Sequence, residues 1–193
     1  TKDLTSSKNI VKALTNKVEF IENKKNFYSI KTSKVLDLSK TRFILMRQNP
    51  PFNMDYITAT FLLEKISKKT QIINNPFAVR NMPEKLHSID FLRFMPPTIF
   101  TKSIIEIDKF RAKYKEIVIK PTHGYGGKNI LFVNKSTKKI KITSYLKQNE
   151  HVMVQKFISD IKYGDKRIFI IGGAIKGAIR RIPKKGSIVS NIG

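Results

Sequence analysis

Ten residues, Ile119-Lys120-Pro121-Thr122-His123-Gly124-Tyr125-Gly126-Gly127-Lys128, hold three glycines and two lysines. They lie between two apolar runs, Ile117-Val118-Ile119 and Ile130-Leu131-Phe132-Val133. Glycine has no Cβ, so its backbone N–H groups approach an anion closely and in conformations other residues avoid. Lys120, at the end of the first run, supplies positive charge to the same place. This is phosphate-binding chemistry, and phosphate points to a nucleotide. Neither G-x-x-x-x-G-K-[ST] nor a helix-opening G-x-G-x-x-G occurs. The residues after Gly127 read as a strand, so no helix N-terminus is there to receive the phosphate. The spacing predicts a glycine flap between paired strands, closing over a triphosphate. Gly-Gly is also a common turn pair, so a plain hairpin turn is the lesser alternative for the loop taken alone.

The flanking sequence supplies the elements that must hold this loop. Residues 1 to about 40 are polar and lysine-rich and predict irregular edge strands. Arg42-Phe43-Ile44-Leu45-Met46 reads as a buried strand, stopped by Pro50-Pro51. Asp55 to Ile66 has helical spacing, with Ile57, Phe61 and Leu62 on one face. Gln71-Ile72-Ile73-Asn74 is a further strand, and Asn75-Pro76 opens the next helix. Strand, helix, strand in that order predicts a βαβ unit with parallel pairing. Glu84 to about Phe94 reads as a helix with Lys85 near its start, and Ser103 caps a helix over Ile104 to Tyr114. After the flap come a helix over Ile142 to Gln148 and a strand over Val152 to Phe157. Asp165 to Ile171 and Ala174 to Ile182 form an antiparallel hairpin about Gly172-Gly173. No internal repeat or low-complexity linker appears.

At 193 residues the chain can build one or two domains, and 40% hydrophobic with 27% charged residues is a globular composition. No run approaches a bilayer span of roughly 20 apolar residues, and the N-terminus is not a signal peptide. Cysteine is absent, which excludes disulfides, thiolate metal sites and cysteine nucleophiles. These features suit a cytoplasmic protein. The net charge of +24 raises nucleic-acid or acidic-membrane binding. Yet arginine, the residue suited to bidentate phosphate and guanine contacts, fills only eight of the 38 basic positions, and the lysines are scattered. No aromatic platform interleaves with them. The charge fits a lysine-rich composition better than a nucleic-acid surface. The chain begins at Thr1 and stops at Gly193 without a finishing capped helix, so both ends read as cut.

Four stretches stand in order along the chain: Met46-Arg47-Gln48-Asn49-Pro50-Pro51-Phe52; Lys85 after Asn74-Asn75-Pro76; Lys120 with its flap; and Gly164-Asp165-Lys166-Arg167 followed by Arg180-Arg181-Ile182-Pro183. This order resembles the ATP-grasp ligases and, within them, the bacterial glutathione synthetases, over nearly the whole chain. The flap alone points no further than ATP-grasp; the other stretches are the specific ones. The resemblance implies an α/β fold. A partial ATP-grasp domain would occupy residues 81–193, after the remainder of a Rossmann-like pre-ATP-grasp substrate domain over residues 1–80.

It also implies a reaction: ATP phosphorylates the C-terminal carboxylate of γ-glutamylcysteine, and the glycine amine attacks the acyl phosphate, giving glutathione, ADP and phosphate. By the same resemblance Lys85 and Lys120 hold the ATP phosphates, and Gly124, Tyr125, Gly126 and Gly127 cover them. Gln155, Lys156, Phe157 and Ile158 read the adenine edge through their backbone, and Asp165 lies near the ribose. Arg167 and Arg181 are the catalytic candidates, neutralising the transferred phosphoryl group. Arg47 and Asn191 are assigned to substrate. The cofactors implied are ATP and Mg2+, with metal ligands expected beyond residue 193, so that the chain as it stands is expected to be inactive. The full-length protein is expected to be a homo-oligomer with no membrane or specific nucleic-acid partner.

Each residue also has a plainer reading. Lys85 fits a solvated helix face, Arg180 and Arg181 fit hairpin edges, and Asp165 fits a turn after Gly164. His123 takes no role, and His87 and His151 show no partner spacing. Two other functions stay open: another ATP-grasp carboxylate–amine ligase, and a non-enzymatic basic module for nucleic acid or acidic surfaces.

Overall fold

The strand and helix signals resolve into two units, Thr1–Pro83 and Glu84–Gly193, in a computed structural model that describes residues 3–8, 10–22 and 27–188. In the first unit β1 (Thr5–Ser7), β2 (Ile10–Phe20) and β3 (Tyr28–Asp37) pair antiparallel in that order. The expectation of irregular edge strands holds in part: β1 and β3 are the edges and the β2–β3 register shifts between Asn16 and Val18, but β2 and β3 form a longer hairpin than the sequence suggests. Its polar residues are satisfied across the strands, since the Ser33 hydroxyl donates to Asn16 at 2.6 Å and the Thr15 hydroxyl to the Lys34 carbonyl at 2.9 Å. Lys17 and Lys31 flank Glu19 at 3.4 and 3.3 Å. Lysine-rich composition hides strand alternation when the lysines have cross-strand partners.

β4 (Phe43–Leu45), α1 (Met54–Glu64) and β5 (Gln71–Ile73) form the expected parallel βαβ unit, with Ile44 opposite Ile72. The strand is shorter and less buried than the sequence predicts. Ile44 and Met46 reach the core, while Phe43 and Leu45 are exposed, because successive side chains leave opposite faces of a two-stranded sheet. Asn53 caps α1 by accepting from the Tyr56 amide at 3.0 Å. Leu63 and Ile66 then pack on Val11, Leu38 and Met46. α2 (Pro76–Asn81) is capped by Asn75 and tied to α1 by Arg80, which reaches Glu64 at 2.6 Å and lies 3.9 Å over the Phe61 ring.

In the second unit the α-helix that the sequence predicts from Glu84 to about Phe94 does not form. Residues 84–94 are a turn followed by a 3-10 helix, His87–Phe94, that is interrupted at Phe91. The Ser88 hydroxyl and amide both donate to the Lys85 carbonyl, drawing the chain into i→i+3 geometry. His87 does have a partner, Asp90, at 3.7 Å. β6 (Thr98–Thr101), β7 (Ile117–Pro121), β8 (Leu131–Val133) and β9 (Val152–Lys156) build an antiparallel sheet in the order β6-β9-β7-β8. α3 (Ile104–Tyr114), capped by Ser103 as expected, and α4 (Lys139–Gln148) cover one face. Ile107, Ile117, Ile119 and Ile142 are fully enclosed there, each contributing about 2 kcal/mol relative to exposure. β10 (Asp165–Ile171) and β11 (Ala174–Arg181) form the expected hairpin.

Candidate functional site

Alternation along the four-stranded sheet separates core from site. Ile117, Ile119, Val152, Val154 and Ile99 meet the helices, while Lys120, Gln155 and Thr98 leave the opposite face. The Lys120 Nζ donates to Gln155 Oε1 at 2.8 Å, and the Lys85 Nζ donates to the Gly124 carbonyl in the flap. Burial holds the Lys120 ammonium below the usual lysine range, and the nearby Lys85 charge lowers it further, with Glu84 opposing weakly. Glu84 lies 4.0 Å from Lys85 and its side chain is 88% exposed, so solvent screens it. Two cations therefore share a site in which their hydrogen-bond acceptors are a neutral amide and a neutral carbonyl. An incoming phosphate would supply the missing negative charge.

The flap runs from Thr122 to Ile130 between β7 and β8, which pair antiparallel as the sequence predicts. Gly126 and Gly127 have φ of +62° and +71°, so the loop crosses the sheet end in backbone that side chains avoid. Tyr125 is exposed on the flap, with the Lys128 ammonium 5.5 Å from its ring. A residue outside the candidate set anchors the loop's far end. Tyr145, on α4, donates its hydroxyl to the Asn129 carbonyl at 2.5 Å, and burial pushes its pKa up to about 12. Its signal in sequence is only a tyrosine three residues after the buried Ile142, the spacing of one helix face.

At the end of β9 two backbone amides are already engaged. The Lys156 and Phe157 amides donate to the Pro97 and Glu116 carbonyls at 2.9 and 3.0 Å. The Gln155 side chain is engaged with Lys120 and Thr98. Ile158, just past the strand and half exposed, is the first position whose N–H has no backbone acceptor among the described residues. Phe157 instead packs edge-on against Phe132, with ring centroids 4.8 Å apart.

Hairpin register places the catalytic candidates together. Asp165 stands opposite Arg181, and Arg167 opposite Ile179, so Asp165, Arg167 and Arg181 share one face. Arg181 forms an ion pair with Asp165, while Arg180 turns to the Tyr163 carbonyl at 2.9 Å. Asp165, expected near a ribose, is thus the cross-strand partner of a catalytic candidate. Gly164 sets this geometry: its φ is +94°, and a Cβ there would collide with the Arg181 carbonyl. Gly164→Ala is expected to cost about 3 kcal/mol or more. Thermal unfolding checks this, and a melting point equal to that of the original chain would contradict the register.

In the first unit, Arg47 leaves the end of β4 at a cavity of about 840 Å3 that Leu14, Met46, Gln48, Pro50 and Asn53 help to line. That volume is in the range of small-molecule sites. Arg47 is exposed, and Gln48, to which the sequence motif assigns no role, has a buried Oε1 without a hydrogen-bond partner among the described residues. Asn191 lies outside the described residues. Among the described residues no helix is long and apolar enough to cross a membrane.

Residues 84–193 match the family model of the prokaryotic glutathione synthetase ATP-grasp domain, and residues 1–80 that of the prokaryotic glutathione synthetase N-terminal domain. The chain is 38% identical over 176 residues to a glutathione synthetase of Mesorhizobium japonicum, covering 89% of this chain and 56% of the relative. It is 36% identical over 188 residues to that of Brucella melitensis, covering 95% and 60%. The chain thus spans somewhat over half the length of these curated relatives. Among solved structures, a D-cycloserine synthetase superposes with a TM-score of 0.63 at 18% identity, over 76% of this chain and 54% of that one. At that identity the likeness speaks to fold alone.

Proposed function

The chain belongs to the prokaryotic glutathione synthetase family and has the ATP-grasp fold, and from that premise we propose that the protein joins γ-glutamylcysteine to glycine at the expense of ATP. The observation that carries the nucleotide part is the Lys85–Lys120 pair beneath the glycine flap, two mutually repelling cations whose hydrogen bonds go to a neutral amide and a neutral carbonyl, with the solvent-exposed Glu84 as the nearby carboxylate. Phosphoryl transfer needs charge neutralisation and positioning more than covalent help. Lys120 would hold one phosphate from the sheet. Lys85 would exchange the Gly124 carbonyl for another, so that phosphate binding and flap movement are coupled. The flap would then exclude water from the acyl phosphate. Ile158 would meet the adenine edge, and Arg167 and Arg181 would bind the transferred phosphoryl group and the dipeptide carboxylate. Arg47, beside the cavity of the first unit, is proposed as a substrate-binding residue.

The fold implies a divalent metal with ATP, and Mg2+ is the ion we propose. Among the described residues no group of three or more His, Cys, Asp or Glu gathers where it could be held, so no step here runs through it. The whole protein is proposed to be a cytoplasmic homo-oligomer. The test is incubation of the purified whole protein, including any sequence beyond this chain, with ATP, γ-glutamylcysteine and glycine. Glutathione and ADP are expected in equal amounts. Turnover only with another acid or amine would assign a different ATP-grasp ligase. Steeply salt-dependent DNA binding without nucleotide binding would remove the enzyme reading.

A further inference from the structure

Three side chains on the site face of the sheet form a hydrogen-bonded line whose direction is fixed at both ends. Lys120 Nζ bonds Gln155 Oε1 at 2.8 Å, Gln155 Nε2 bonds Thr98 Oγ1 at 2.9 Å, and Thr98 Oγ1 bonds the Pro96 carbonyl at 2.7 Å. An ammonium only donates and a carbonyl only accepts. The Thr98 proton is committed to Pro96, so Thr98 receives a hydrogen from Gln155 and presents none to it. The Gln155 amide must then turn its NH2 toward Thr98 and its oxygen toward Lys120. An amide turned the other way would aim N–H groups at the ammonium and leave Thr98 without a donor. The strands enforce this proximity: Thr98 stands directly opposite Gln155 in the β6–β9 register, and Lys120 is one diagonal step away across β7–β9. Gln155 is 9% exposed, so water is a poor substitute for either partner.

We propose that Thr98 is a positioning residue for Lys120, acting through the orientation of the Gln155 amide, and that its hydroxyl keeps the lysine charged and aimed at the nucleotide phosphates. The last clause rests on the nucleotide reading above; the orientation itself does not. Nothing in the sequence motifs singles out Thr98, which lies more than twenty residues before the flap. A β-branched residue at that strand position would serve the fold equally well if only shape mattered.

The experiment compares the original chain with Thr98→Val, which keeps the shape and removes the hydroxyl, and Thr98→Ser, which keeps the hydroxyl. Lys120 is read by mass-spectrometric mapping of acetic anhydride labelling across alkaline pH, with no nucleotide present. Thr98→Val leaves the Gln155 amide anchored at one end only, so its oxygen is held less firmly against the ammonium, which then loses its proton more easily. Labelling is expected to begin at lower pH and run about tenfold faster at fixed pH. Thr98→Ser is expected to restore the original profile, with Lys109, on the exposed face of α3, unchanged in all three. Equal Lys120 profiles in the original chain and Thr98→Val, or a serine variant that behaves like valine, would overturn the proposal. ATP titration of the same proteins is the second arm: Thr98→Val should raise the Kd about tenfold and Thr98→Ser less than twofold. Absence of ATP binding by the original chain counts against the nucleotide reading alone, because the labelling arm still decides what Thr98 does.

Discussion

Lys120→Met will weaken ATP binding by about a hundredfold while leaving the thermal transition within a few degrees of the original. The loss follows from removing one half of a desolvated charge contact, which typically costs about 2–5 kcal/mol. The stability term is small because two effects oppose each other. Methionine strands the Gln155 oxygen, which costs about 1–3 kcal/mol, but it also removes an ammonium whose burial and Lys85 neighbour already disfavour its charged form. Titration calorimetry and thermal unfolding of the same sample separate binding from folding, and a variant that binds ATP like the original would refute the phosphate clamp. pH adds a second signature. The folded Lys120 loses its proton more easily than the unfolded chain does, so between the lowered value and the ordinary 10.5 the unfolded state binds more protons. Stability therefore rises with pH across that window. A bound phosphate reverses the shift, so ATP binding there takes up protons and affinity falls as pH rises. Both slopes should flatten in Lys120→Met.

Residues whose function is local were legible in the sequence. The flap needs glycines between two apolar strands, and β7 and β8 do pair around it with Gly126 and Gly127 in left-handed backbone. Caps at Asn75 and Ser103 and the βαβ order were readable for the same reason: each rests on a few adjacent residues. Features that depend on contacts distant in sequence were not. Lys85 looks like a helix residue until Ser88 is seen bonding its carbonyl and Gly124 its ammonium. That Pro97 and Glu116 accept from the Lys156 and Phe157 amides is likewise set by pairing with residues far away in sequence. Asp165 reads as a turn or ribose ligand until hairpin register sets it against Arg181, sixteen residues away. Thr98, Tyr145 and Gln48 carry no role in any motif, and only the folded sheet and cavity reveal them.

In the ligation assay with ATP, γ-glutamylcysteine and glycine, Arg167→Ala and Arg181→Ala will each lower kcat by about 10²–10³, the usual loss when one preorganised donor to a developing anion is removed. The two variants should differ in folding. Arg167 is exposed and its side chain has no hydrogen bond or ion pair among the described residues, so its truncation leaves the melting point unchanged. Arg181 is the cross-strand partner of Asp165, a half-buried carboxylate. Its loss removes the carboxylate's cross-strand cation and should cost about 1–3 kcal/mol. Asp165→Asn added to Arg181→Ala should restore much of the stability and none of the turnover. Arg181→Lys keeps the charge but not the planar fork, so it should hold the hairpin better than it supports catalysis. This pattern distinguishes chemistry from scaffolding on a single hairpin face. One guanidinium is already engaged by a carboxylate and positions the strand end. The other has no anion to satisfy it among the described residues and is the better placed to meet a phosphoryl group. An Arg167→Ala enzyme with the original kcat would take that residue out of the mechanism and leave Arg181 to act alone.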